Sequence, residues 1–178
     1  IPQLAKLVDA GWDLTALVPS CVLMFKQELP LMFPDDPEVQ KVKNAFYDPF
    51  EYLMLRHKAG RLKTDFKASL GKVAYHAACH QRVQNIGAKT KEALSLAPGT
   101  EVDIIERCSG HDGTYAVKKE FHESAVRIVK PVVKRVNEAR PDHYGSDCAM
   151  AGHHIGHIRA DGSAPEHPIT LLRKAYGL

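Results

Sequence analysis

From residue 72 onward, short apolar runs alternate with segments of helical periodicity. The strand-like runs cover residues 72–79, 101–107 and 142–147, and the helical patterns cover about 89–97, 114–139 and 151–158. Parallel strands need long crossover connections, which are usually helices, and repeated strand–helix alternation is typical of such sheets. The pattern therefore predicts an α/β fold in which a mostly parallel, doubly wound, Rossmann-like sheet carries flanking helices.

The first 60 residues are organised differently. Helical patterns cover residues 2–10 and 19–25, and Asp48-Pro49 has the form of a helix N-cap followed by proline at the first helical position. Two domains are predicted, residues 1–60 and residues 61–178. Residues 61–71, at the start of the second, are predicted to form the connecting segment.

A weak internal sequence similarity relates the two predicted domains. Residues 11–24 and residues 142–150 both run in the order strand, small polar turn, cysteine, helix. This internal similarity indicates two related domains in tandem. On this interpretation, residues 1–60 hold only the end of the first domain and the helices that connect it to the second.

Three of the four cysteines lie where a predicted strand stops and a turn or helix begins. They are Cys79, Cys108 and Cys148. In an open α/β sheet, ligands bind in the crevice outside the carboxyl ends of the strands. Three thiols delivered to that edge are typical of a metal or cluster site, although each one alone is more often a small buried residue. The long intervals between them exclude the tight Cys-x2-Cys sets of zinc ribbons and ferredoxins.

The segment after Cys108 has the composition of an anion-binding turn. Gly110 and Gly113 are three residues apart just before the predicted long helix, and Ser109 and His111 stand beside them. Glycines allow a tight backbone and the close approach of a ligand, and a helix N-terminus favours negative charge. We therefore predict that these four residues bind a cofactor such as a thiolate-ligated cluster. The alternative is a plain strand-to-helix turn that happens to hold a cysteine.

Composition and charge narrow the classes of function. The formal net charge is +3, and no Lys/Arg block is interleaved with aromatic residues, which argues against a nucleic-acid partner. No apolar run has the roughly 18 residues of a membrane span, and no signal peptide is visible. The chain begins at Ile1 without a methionine, so we expect a fragment of a longer protein. Scattered cysteines in a sequence of intracellular character favour metal or redox chemistry over disulfides.

Other chemistries have weaker support. The sequence lacks the Gly-x-Ser-x-Gly elbow, the P-loop and the Gly-x-Gly-x-x-Gly motif. A nucleophilic pair of Cys79 with His80 or His111 has no orienting third group in the sequence. His153 and His157 would share a helix face and could bind zinc, but no glutamate lies between them as in zinc metalloproteases.

A series of short segments, in order along nearly the whole chain, carries a family resemblance. The segments are residues 19–28, 48–53, 75–80, 107–115, 118–120, 146–148 and 166–172. They resemble the cysteine-rich CCG-domain family. Its members include the cysteine-rich subunit of heterodisulfide reductase and the iron–sulfur subunits of anaerobic glycerol-3-phosphate dehydrogenase, glycolate oxidase and lactate-utilisation complexes. Residues 118–120 and the tail are most similar to the iron–sulfur subunit of anaerobic glycerol-3-phosphate dehydrogenase.

The resemblance implies which residues hold a cofactor. The family pattern has one early cysteine, then Cys-Cys-Gly, then Cys-x-x-Cys, and five such thiolates hold a non-cubane [4Fe–4S] cluster. The positions that match are Cys79, Cys108 and Cys148. Ser109 and Ala151 stand where the other two cysteines belong. Cys21 matches the last cysteine of a preceding copy of the domain, with Val18 at its partner position.

The resemblance leaves three states of the site open. The three thiolates could hold an ordinary [4Fe–4S] cluster whose fourth iron takes His111, His80, Ser109 or an exogenous ligand. They could instead join one histidine in a zinc site, or the site could be empty.

The function that the resemblance implies is electron transfer by an oxidoreductase subunit, rather than stand-alone catalysis. The chain would take electrons from a flavoprotein dehydrogenase subunit and pass them toward a quinone or another carrier, with a membrane-anchor subunit as a further partner. This function implies a cytoplasmic location, or peripheral attachment to the inner face of the cytoplasmic membrane. The alternative is a zinc-bound or metal-free module that scaffolds such a complex.

Overall fold

Parallel strands with flanking helices make up the structure, a computed structural model that describes residues 1–111 and 115–178. Within these residues the chain divides into two compact units. The first unit comprises Ile1–Leu62 and His80–Lys89, and the second comprises Lys63–Cys79 and Thr90–Leu178. The predicted α/β class, with parallel strands and flanking helices as in Rossmann-like folds, is confirmed.

Short helices accompany one pair of parallel strands in the first unit. Up to residue 58 the elements are α1 (Pro2–Asp9), β1 (Leu14–Thr15), α2 (Pro19–Leu23), a π-helical turn (Met24–Glu28), α3 (Leu29–Met32), α4 (Pro37–Ala45), β2 (Phe46–Tyr47) and α5 (Pro49–Lys58). The β1 and β2 strands pair in parallel, with Leu14 opposite Phe46. Helix α4 is an element that the sequence pattern did not predict.

A capping box fixes the start of α5. The Asp48 carboxylate accepts hydrogen bonds from the backbone N–H groups of Phe50 and Glu51, and the Glu51 carboxylate accepts one from the N–H of Asp48. These bonds satisfy donors that a helix N-terminus otherwise leaves free. The Asp48-Pro49 signal therefore predicts the first residue of this helix correctly.

Three parallel strands form the sheet of the second unit. From residue 72 onward the elements are β3 (Lys72–His76), α6 (Cys79–Arg82), α7 (Lys89–Leu94), β4 (Glu101–Ile105), a 3-10 turn (Lys119–Phe121), α8 (His122–Ala139), β5 (His143–Ser146), α9 (Ala149–Arg159) and α10 (Pro168–Ala175). Of these, α6 after its first residue and the first residue of α7 belong to the first unit. The strand order is β4–β3–β5. His76 pairs with Ile105 on one side and with Ser146 on the other, so the three strands end at the same level. The segments that follow them leave from one edge of the sheet.

Helix α8 supplies the main apolar surface against this sheet. Its valines pack in one cluster with residues of β3, β4, β5 and α9; the cluster is Ala74, Ile105, Val129, Val132, Val133, Val136, Tyr144 and Ile155. The sequence pattern predicts one buried stripe over Val117, Phe121, Ala125, Ile128, Val129, Val132, Val133 and Val136. It is confirmed for Ala125 and for the four valines from Val129 onward, and it is wrong for Val117, Phe121 and Ile128, which are exposed. Pro131, where the sequence predicts a kink or a break, lies inside a helix that continues without a break to Ala139. Fully buried Val129 and Val132 on either side hold that helix to the core.

The predicted start of the long helix, near residue 114, is wrong. Residue 114 lies outside the described residues, and α8 begins at His122 after the 3-10 turn. The ring of Tyr115 stacks on that of Phe121 with centroids 4.7 Å apart. Residues six apart on a straight helix are separated by well over one turn, so this stacking requires the chain to turn before α8 begins.

The last part of the chain runs alongside β5 before α10. The Glu166 N–H donates to the Tyr144 carbonyl at 2.8 Å, and the His167 side chain accepts from the N–H of Ile169 to cap α10, a helix that the sequence pattern did not predict. Among the described helices, none combines the length and the apolar character that crossing a membrane requires.

We expect Gly145→Ala to destabilise the second unit strongly. A Cβ atom at residue 145 would lie 1.7 Å from the main-chain oxygen of Glu166, and backbone cannot move aside as a flexible side chain can. Such overpacking should lower the free energy of unfolding by about 3 kcal/mol or more, as measured by urea denaturation.

Gly152→Ala in α9 is the matched control, because the added Cβ would meet only the Pro165 side chain, at 3.3 Å. This control should change the free energy of unfolding by no more than about 1 kcal/mol. Equal losses in the two variants would contradict the close approach of Glu166 to β5.

Candidate functional site

The three cysteines predicted as ligands lie just beyond the carboxyl ends of the three strands. Cys79 lies three residues after the end of β3, and Cys108 lies three residues after the end of β4. Cys148 lies two residues after the end of β5. Because the three strand ends are in register, the structure delivers these residues to one edge of one sheet. All three are reduced thiols outside any disulfide among the described residues; Cys79 and Cys108 are exposed, and Cys148 is half-buried.

Cys148 occupies the N-cap position of α9, which runs for 11 residues. Its backbone is extended, and its carbonyl accepts the first helical hydrogen bond, from the Gly152 N–H at 3.0 Å. The first-turn N–H groups of a helix and its dipole favour a negatively charged group beside them. A thiolate, or a cluster held by thiolates, is such a group.

The turn after β4 is built around Cys108. The Gly110 N–H points at the Cys108 sulfur, with the nitrogen 3.4 Å from Sγ. Gly110 has φ of +72°, and a Cβ there would lie 2.6 Å from the Ala125 carbonyl oxygen of α8. Glycine is therefore required at this position, both for the left-handed backbone and for the close contact with α8.

His111 links the turn after β4 to the N-terminus of α9. Its Nδ1 lies 2.8 Å from Ser109 Oγ, and its Nε2 lies 3.7 Å from Cys148 Sγ. Ser109 is 1% exposed, so its hydroxyl orients the imidazole from inside the protein. Ser109, Gly110 and His111, all predicted as cofactor-binding residues, thus come together with Cys108 and Cys148. Gly113, the fourth residue of that prediction, lies outside the described residues.

A buried imidazole that the sequence did not predict as functional lies beneath this turn. His76, the last residue of β3, is 1% exposed. Its Nε2 lies 2.7 Å from the carbonyl oxygen of Arg107, and its Nδ1 lies 3.0 Å from Ser146 Oγ. The Ser146 hydroxyl in turn accepts from the Cys148 N–H at 3.3 Å. A polar residue directly after the run Val73-Ala74-Tyr75 is the only sequence signal for this group.

Asp147, next to Cys148, is held by a second buried set of hydrogen bonds. Its carboxylate accepts from the Tyr75 hydroxyl and from the Thr90 hydroxyl, the latter at 3.1 Å and 3.3 Å to the two oxygens. Its backbone carbonyl accepts from His167 Nε2 at 3.1 Å. All of these groups belong to the second unit. The backbone before Cys148 is therefore tied to β3, to α7 and to the segment before α10.

The described thiols do not form one metal-binding group. In the part of the chain that the structure describes, no three His, Cys, Asp or Glu side chains form a group that could hold one metal ion. The edge of the sheet presents thiols from three strand ends, with the His111 imidazole beside the thiol of Cys148.

The two cysteine-containing helix starts differ in which position holds the cysteine. Cys148 is the N-cap of α9 and Ala151 is its third helical residue, completely buried. Val18 is the N-cap of α2 and Cys21 is its third helical residue. The predicted internal similarity therefore corresponds to two strand–turn–helix segments. In one the cysteine is the N-cap residue, and in the other it is the third helical residue.

A search of protein-family models finds no match to this chain.

His153 and His157 of α9, the weaker zinc-site alternative, are not joined by a third ligand among the described side chains. His153 and His157 are both exposed, whereas His154 between them is 7% exposed. His154 hydrogen-bonds to the backbone of Ala125, and its Nε2 has no hydrogen-bond partner among the described residues. Burial lowers the pKa of His154, and the neighbouring imidazoles of His111, His157 and His122 lower the pKa further, against the opposing effect of the Ala125 hydrogen bond.

We expect the stability of the second unit to fall at mildly acidic pH through His154. Its pKa in the folded protein lies below the unfolded value of about 6.5, so below that pH the unfolded chain takes up a proton that the folded chain does not. The contribution of neutral His154 to the free energy of unfolding is fully present above the unfolded pKa and is lost as the pH falls through 6.5 toward the folded pKa. The free energy of unfolding should fall by at most about 1.4 kcal/mol per pH unit in this range.

His154→Gln should make this loss shallower, as measured by urea unfolding at about pH 7.5 and about pH 5.5, on either side of the ordinary histidine pKa. The exposed neighbour supplies the control, since His153→Gln should leave the difference between the two pH values as in wild type. An unchanged difference in His154→Gln would show that another group carries the acid sensitivity.

Proposed function

We propose that this chain is an iron–sulfur electron-transfer subunit of a flavin-dependent dehydrogenase complex, of the cysteine-rich CCG-domain type. The observation that carries the proposal is the position of Cys79, Cys108 and Cys148 beyond the carboxyl ends of three adjacent, parallel, in-register strands. Two of these thiols are exposed and the third is half-buried, so a cofactor can reach them from solvent. Thiolates are the usual protein ligands of iron–sulfur clusters.

The donor set fits a cluster with three thiolates better than one with five. Ala151 has no donor atom and is completely buried, and Ser109 is buried with its hydroxyl beside His111 Nδ1. These two positions cannot supply the thiolates that a five-cysteine, non-cubane cluster needs. A [4Fe–4S] cluster held by the three cysteines is the form that we propose, with the His111 imidazole or an exogenous ligand at the fourth iron.

The cluster, when bound, supplies one-electron redox chemistry, and the protein supplies position and electrostatics. The N-terminus of α9 offers its free N–H groups to the negative charge of thiolate and sulfide at Cys148. The Gly110 N–H does the same for the Cys108 sulfur. Hydrogen bonds to cluster sulfurs are among the factors that set the reduction potential.

The proposed partners follow from this role. A flavoprotein subunit that oxidises glycerol-3-phosphate, glycolate or lactate would donate the electrons. A quinone, another carrier or a membrane-anchor subunit would receive them. We place the chain in the cytoplasm, with peripheral attachment to the inner face of the membrane through such a subunit.

A second candidate is a zinc-bound scaffold in the same complex. The observation in its favour is the pairing of an imidazole nitrogen with a thiol, His111 Nε2 and Cys148 Sγ, at 3.7 Å. Mixed cysteine–histidine sets are typical of structural zinc sites. On this alternative the metal stabilises the fold and carries no electrons.

Anaerobic reconstitution with iron and sulfide should turn the wild-type chain brown, with a broad visible absorption that dithionite bleaches. Cys108→Ala and Cys148→Ala should each retain far less iron, because each removes one of three protein thiolates. Cys21→Ala is the matched control, since Cys21 lies in α2 of the first unit, and it should retain as much iron as wild type.

Metal analysis of the same samples separates the two candidates. Iron with acid-labile sulfide supports the electron-transfer subunit, and about one zinc per chain without iron supports the scaffold. A reconstituted wild-type chain that is colourless and free of iron would rule out the cluster.

A further inference from the structure

His76 connects the two chain segments that carry Cys108 and Cys148. It ends β3, the central strand, and its two ring nitrogens reach in opposite directions. Nε2 meets the carbonyl of Arg107, the residue before Cys108, and Nδ1 meets the hydroxyl of Ser146, two residues before Cys148. One side chain thus spans from the end of β4 to the end of β5.

The donors and acceptors allow only one arrangement of protons in a neutral ring. The Arg107 carbonyl can only accept, so Nε2 carries the hydrogen, and Nδ1 is then an acceptor. The Ser146 hydroxyl donates to Nδ1, which leaves its oxygen free to accept the Cys148 N–H. The result is a continuous chain of hydrogen bonds from the Cys148 backbone to the Arg107 backbone, with every member satisfied.

Burial makes this chain stiff. His76 and Ser146 are each 1% exposed, so water cannot replace a broken bond in it. An unsatisfied buried donor or acceptor loses its hydration without compensation, which penalises any movement of one strand end relative to the other. A second link lies above it, where His111 joins Ser109 to Cys148.

We propose that His76 is a positioning residue that fixes the separation of Cys108 and Cys148, so that the two thiols act as a pair of ligands. The inference rests on the proposed function for its purpose, a preorganised cluster site. The separation itself is a property of the protein without metal, and it can be measured there.

The test uses nitroxide spin labels on Cys108 and Cys148 in a Cys21→Ala/Cys79→Ala background, with the distance distribution read by EPR. The parent should give one narrow distribution. His76→Phe keeps a ring of similar size but removes both hydrogen bonds, and it should broaden the distribution. Ser146→Ala interrupts the same chain on the β5 side and should broaden it as well; it decides the question if His76→Phe does not fold.

Tyr144→Phe is the matched control. Tyr144 lies in β5, is 4% exposed and loses one partly buried hydrogen bond, to the carbonyl of Ser163 in the segment between α9 and α10. It should keep the narrow distribution. A narrow distribution in both His76→Phe and Ser146→Ala, or equal broadening in Tyr144→Phe, would overturn the positioning role.

Iron uptake gives the second readout, in the otherwise wild-type chain. His76→Phe should weaken retention of iron about tenfold or more, the usual cost of losing a residue that orients a metal ligand, whereas Tyr144→Phe should retain much more. A wild-type chain that takes up no iron would count against the proposed function alone, because the spin-label distances decide the role of His76 independently.

Discussion

The hydrogen bonds of His76 depend on the register of the sheet, and the arrangement of the site depends on both. Because β3 lies between β4 and β5, only a residue at its end can contact both neighbouring strand ends at once. His76 is in register with Ile105 and Ser146, so its two nitrogens reach the segments that lead to Cys108 and Cys148. A shift of one residue in either pairing would turn alternate side chains to the opposite face and remove these contacts.

The sequence predicts those parts of the structure that local patterns determine. Apolar runs locate the three strands, the stripe of valines locates the buried face of α8, and Asp48 locates the start of α5 through bonds to residues two and three positions away. The common edge of the three cysteines follows from these local signals together with the general rule for parallel sheets. No long-range contact needs to be known for any of them.

What the sequence does not predict depends on contacts between distant residues. The role of His76 needs the pairing of residues that are 31 and 70 positions apart. Tyr75 and Thr90 reach Asp147 across 72 and 57 positions. In each case a pattern of residue types is compatible with several partners, and only the packed structure selects one.

Ser109 and Ala151, which stand where the CCG-domain pattern that the chain resembles has cysteines, have other roles in this structure. Ala151 packs in the first turn of α9 without any exposed surface, and Ser109 orients the His111 imidazole toward Cys148. On the proposed function, His111 would stand in for a thiolate, and each such exchange removes one negative charge from the ligands. Histidine in place of cysteine raises the potential of other iron–sulfur centres. A cluster held here by three thiolates and His111 should therefore accept electrons more readily than one held by cysteines alone.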